Sequence, residues 1–95
     1  MLVHIRIFGR VQGVGFRAWS ERQAEKLNLS GWVRNRSDGS VEIMAEGSDQ
    51  EINFFLSLCK KGPLFAKVIK IEPVRFPDAF IPPIQSGIFT HEATV

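Results

Sequence analysis

Cysteine is almost absent from this chain. Cys59 is the only one in 95 residues, so no internal disulfide can staple the fold. A lone thiol fits a reducing, cytoplasmic location, which is the expected compartment. Histidine is nearly as scarce: His4 and His91 have no metal-ligand spacing, so no metal site is expected. Long apolar runs are missing too. None approaches the ~20 residues that cross a bilayer, and the opening MLVHIRIFGR lacks the basic-then-apolar layout of a secretory signal. No membrane association is therefore expected. There is no internal repeat and no low-complexity tract. The last absence is of acid: residues 1–20 hold no aspartate or glutamate, while Arg6, Arg10 and Arg17 all fall there. Net charge over the whole chain is only +2, so any preference for anions must be local.

What is present is ordinary globular material. Hydrophobic residues make up 44% and charged residues 23%, which suits one thin core and a single domain over residues 1–95. Residues 2–8 read as a strand, with Val3, Ile5 and Ile7 on one face and His4 and Arg6 on the other. Residues 16–27 read as a helix with Phe16, Ser20, Gln23 or Ala24, and Leu27 inward, ended by Asn28, which tolerates the left-handed conformation. A second strand covers residues 32–36, and Asp38-Gly39 marks a tight hairpin. In the third strand Val41, Ile43 and Ala45 alternate with Glu42, Met44 and Glu46, the pattern of a half-buried strand.

Ser48-Asp49-Gln50-Glu51 has the form of a capping box, and Ile52, Phe55, Leu56 and Cys59 follow at helical spacing. Lys60-Lys61-Gly62-Pro63 closes that helix. Ala66, Val68 and Ile71 lie on a fourth strand whose phase slips between Val68 and Ile71, the mark of a bulge. From residue 73 to 86 four prolines predict a long irregular connection, and residues 88–93 a final edge strand. The order βαββαβ, plus that strand, predicts an α+β ferredoxin-like sandwich: a mainly antiparallel sheet with two helices on one face.

The chemistry concentrates in Gly9-Arg10-Val11-Gln12-Gly13-Val14-Gly15-Phe16-Arg17. Successive N–H groups of a glycine loop at a helix N-terminus form a concave anion site, and the helix dipole favours negative charge there. Arg17 falls in the first helical turn, where its planar fork can hold two oxygens of a phosphate. A plain strand-to-helix turn would leave that arginine facing the positive end of the dipole, unfavourable without an anion. The stretch Gly13 to Ala18 fits the dinucleotide pattern G-x-G-x-x-A, but the next strand turns back through Asp38-Gly39 instead of forming a parallel unit. No Lys-Ser/Thr follows the loop, which excludes a Walker site. Cys59 is too remote to be a phosphatase thiolate and reads as core.

Asn35 shares a strand face with Val33, expected to be the face the helices cover. Two roles are open for it: a structural amide bonded to the loop or hairpin, or the group that orients a water beside the anion. Trp19 and Trp32 read as packing residues. Glu42 and Glu46 on the open face argue against an RNA-binding sheet, so no nucleic-acid partner is expected.

Gly9-x-Val11-Gln12-Gly13-Val14-Gly15-Phe16-Arg17, Gly31-Trp32-Val33-Arg34-Asn35 and Asp38-Gly39-Ser40-Val41-Glu42 together resemble the acylphosphatase signature. Gly47 and Gly62-Pro63-x-x-Ala66-x-Val68 also fit, and the likeness runs from Val3 to about Glu72. It departs at Ser20, where the family often has threonine, and at Ile88, where an aromatic is expected. The resemblance implies the ferredoxin-like fold and hydrolysis of the carboxyl–phosphate anhydride of a small acyl phosphate, without metal or cofactor. It places the catalytic roles on Arg17 and Asn35, and phosphate binding on Gln12, Gly13, Val14, Gly15, Phe16 and Arg17. Inorganic phosphate or sulfate would compete for that loop, and a monomer suffices. The family's domain also stands at the front of larger carbamoyl-transfer maturation proteins. The alternative is therefore a phosphate- or carbamoyl-phosphate-binding module without turnover.

Overall fold

Val3, Ile5 and Ile7 are fully buried because the strand they alternate along, β1 (Leu2–Arg10), has a strand on either side and helices over one face. The computed structural model describes residues 1–76 and 87–95. After β1 come α1 (Phe16–Lys26), β2 (Ser30–Asn35), β3 (Val41–Glu46), α2 (Asp49–Cys59), β4 (Lys67–Phe76) and β5 (Phe89–His91). They build one sheet in the order β4-β1-β3-β2-β5, antiparallel throughout except for the parallel β2–β5 pair. This is the ferredoxin-like sandwich the pattern predicts, with β5 as the extra edge strand.

Cross-strand register decides what each face does. Ile5, Ile43 and Val33 stand in one row across β1, β3 and β2, and all three are inaccessible to solvent. The next row on the same face is Ile7, Val41 and Asn35, so Asn35 sits at the end of the hydrophobic face. Phe16, Ser20 and Ala24 of α1, with Ile52, Phe55, Leu56 and Cys59 of α2, are buried above it. The α2 start carries the full capping box between Ser48 and Glu51. Burial raises the Cys59 thiol pKa well above its ordinary value, consistent with a core role.

Two expectations need correction. The irregular connection does not begin at Pro73, since β4 runs through it to Phe76 and sets Pro73 opposite Ile5. An edge strand tolerates proline because one of its sides has no ladder bonds to lose. Of the predicted connection, residues 77–86 lie outside the described residues. The phase slip on that strand is real: Phe8 pairs with Lys70 and Gly9 with Val68, which leaves Ile69 as the extra, exposed residue.

The second correction is β3, which is buried on both faces. Glu42 does not lie open but is clamped by His4 at 2.6 Å, Arg34 at 2.7 Å and Arg36 at 3.1 Å. Burial alone would raise its pKa, but the hydrogen bonds from His4 and Arg34 override that and lower it from 4.5 to about 2. Trp32 packs half-buried on the face away from the helices, under the Arg34 guanidinium at 4.5 Å from its ring centroid.

Candidate active site

Gly13 and Gly15 take positive φ of 74° and 79°, and Gly15 is the left-handed N-cap of α1. A residue with a Cβ is strained in that conformation, which is what the loop needs glycine for. Among the described residues no side chain caps this helix, and no acidic residue lies in its first turn. Its leading N–H groups are therefore left for a ligand or water.

The loop's other side chains hold it from below. Phe16 is buried, meets Trp19 edge-on at 5.3 Å between ring centroids, and closes against the turn after α2. A Cβ on Gly62 would stand 2.7 Å from the Phe16 ring, so that close approach also requires glycine. The Gln12 amide donates to the carbonyls of Arg36 at 2.7 Å and Ser40 at 2.9 Å, tying the loop to the β2–β3 hairpin. The hairpin is itself pinned by Arg6, which donates to Asp38 at 2.6 Å and Ser40 at 2.9 Å. Hydrogen bonds from the Ser40 hydroxyl and backbone N–H hold the Asp38 carboxyl below its usual pKa. Gln12 and Phe16 thus have only backbone groups to offer an anion, while their side chains set the loop's position.

A cavity of about 140 Å³ opens where these pieces meet. The glycine loop and the start of α1, Arg17 included, supply most of its lining. Asn35 projects from the end of β2, and His91 from β5. Arg17 is half-buried, and its Nη1 reaches the Glu92 carbonyl at 3.5 Å. The Asn35 side-chain amide makes no hydrogen bond within the described residues, which argues against the structural role left open for it. A larger hollow of about 380 Å³ lies by Glu25, Asn28 and Ile88 but gathers no comparable group of converging donors. Among the described residues no cluster of three His, Cys, Asp or Glu side chains could hold a metal ion.

Sequence reasoning brought the loop, Arg17 and Asn35 together but missed His91. Its place follows from β5 pairing in parallel with β2, which sets His91 opposite Val33. Only a long-range strand pairing creates that neighbourhood.

The sequence matches the Acylphosphatase family model over residues 3–78. The chain belongs to the acylphosphatase family. An acylphosphatase from Bacillus licheniformis is 49% identical over 78 residues, covering 80% of this chain and 87% of that one. The crystal structure of the Bacillus subtilis acylphosphatase superposes with a TM-score of 0.82 at 39% identity, covering 97% of this chain and 99% of that one. The fold also matches HypF from T. kodakarensis at a TM-score of 0.78 and 33% identity, covering 97% of this chain but 12% of that one.

Proposed function

We propose a division of labour by which this acylphosphatase-family chain hydrolyses acyl phosphates to a carboxylate and inorganic phosphate. The observation that carries it is the convergence, in one small cavity, of the glycine-loop N-terminus, the Arg17 guanidinium and the Asn35 amide, the first uncapped and the last unengaged among the described residues. The backbone N–H groups of residues 12–17 and the Arg17 fork hold the phosphoryl oxygens and the charge that gathers on them in the transition state. Asn35 aligns a water for attack on phosphorus, opposite the acyl oxygen. As the new P–O bond forms, the bond to the acyl oxygen breaks and its electron pair leaves on the carboxylate. A carboxylate is a good leaving group, so the step needs no general acid on that side. The reading requires no protein nucleophile, metal or cofactor, and a monomer contains every group it uses.

Hydrolysis of acetyl or benzoyl phosphate tests the reading, with inorganic phosphate and sulfate expected to inhibit competitively. A second reading, a phosphate- or carbamoyl-phosphate-binding module without turnover, draws on the likeness to a 12% portion of the HypF chain. Competitive anion binding without hydrolysis would favour it.

A further inference from the structure

We propose that His91 is a third side chain of the anion site, donating from its imidazole to the bound phosphoryl group beside Arg17. Inward-facing positions on β5 are set by its pairing with β2: Phe89 stands opposite Gly31 and is buried against Phe55, and His91 stands opposite Val33 on the same face. An apolar residue would extend the core there. Instead an exposed imidazole lines the cavity that Arg17 and Asn35 also line. It makes no hydrogen bond within the described residues, so its ring nitrogens are available to a ligand. The very next residue, Glu92, supplies the carbonyl that Arg17 Nη1 approaches, so the strand passes within reach of the guanidinium.

An imidazole brings one N–H donor when neutral and, when protonated, two donors and a charge. Protonated His91 should therefore tighten the grip on a dianion, so that affinity rises as pH falls. The charged groups on the elements around this end of the sheet include Arg17 and Glu21 of α1, Arg10 before the loop with Lys67 opposite it on β4, Asp38 of the hairpin and Glu92 beside His91. On β2, Arg34 faces the opposite side and, like Arg36 beyond the strand's end, is engaged with Glu42. A His91→Gln variant keeps all of these, so the difference between the two pH profiles isolates the imidazole.

The inference rests on the reading that this cavity holds the phosphoryl group, and the test separates the two. Sulfate is the probe, because it stays dianionic across the pH range. Its dissociation constant is measured by calorimetry between about pH 5.5 and 8.5, the window in which imidazoles change charge. The parent should bind about fivefold more tightly at the acid end, the scale of one partly screened charge pair, and His91→Gln should be flat. A second measurement needs no variant. By linkage, the His91 ring-proton resonances should titrate at higher pH with sulfate bound than without. Parallel profiles in parent and variant, or a ring titration that sulfate leaves unmoved, would overturn the role of His91. Sulfate binding that Arg17→Lys leaves untouched would overturn the cavity reading itself.

Discussion

The roles proposed for Arg17 and Asn35 differ in a way that kinetics can separate. In the proposed reading the Arg17 guanidinium holds charge already present on the bound phosphoryl group, so it would act in both ground and transition states. An amide that aligns water acts only once attack begins. Asn35→Ala is therefore expected to lower kcat by about 100-fold, the scale of losing one positioned donor, while the inhibition constant for phosphate changes little. Parallel measurement of kcat and phosphate inhibition checks this. Equal damage to both would return Asn35 to a role in shaping the loop. That Arg17 and Asn35 share one neighbourhood was legible in the sequence because their motifs are short and local. His91 was not, since its relevance depends on a parallel strand pair more than fifty residues apart in the chain.

At the scale of elements, the α1 N-terminus and the β2–β3 hairpin form the frame of the site. Gly15 carries the left-handed turn that aims the first N–H groups of α1. Gly15→Ala should cost about 1–2 kcal/mol of stability through left-handed strain, and should lower turnover further by tilting those groups. Denaturant unfolding and steady-state turnover on the same sample check both parts. On the sheet's other face, Glu42 links His4 on β1 with Arg34 on β2 and Arg36 just beyond it. Its folded pKa lies below the ordinary 4.5, at about 2, so the stabilisation is fully present above 4.5 and is lost as pH falls towards 2. The parent's Tm should therefore fall more steeply over that window than that of Glu42→Gln, a difference thermal melts at stepped pH will read.

Elements also show where sequence reasoning stops. The alternation of Val3, Ile5 and Ile7, the Ser48 capping box and the Asp38-Gly39 turn are local signals, and the structure follows each. The clamp on Glu42 and the passage of β4 through Pro73 depend on sheet order. A carboxylate on a central strand gathers basic neighbours from both sides, and a proline on an edge strand loses no partner. Neither property belongs to a short window of residues. Gln12 is intermediate: it belongs to the loop by sequence, yet the fold turns its side chain to the hairpin carbonyls.

At the scale of the whole molecule, the hydrophobic core of the described residues underlies the candidate site at the end of the sheet, where the last helix-covered row runs out into Asn35. Cys59 is buried in that core and has no part in the proposed chemistry. This chain is proposed to turn over acyl phosphates through the two-pronged hold of Arg17 on the phosphoryl group. The most direct test is steady-state hydrolysis of benzoyl phosphate by the parent and by Arg17→Lys, both dialysed against EDTA, with far-UV circular dichroism confirming that each is folded. The parent should retain its turnover after chelation, and the lysine variant should lose about 100-fold or more, because a point charge cannot reproduce the fork. A folded Arg17→Lys protein with near-parental turnover, or a parent that needs an added divalent ion, would contradict it.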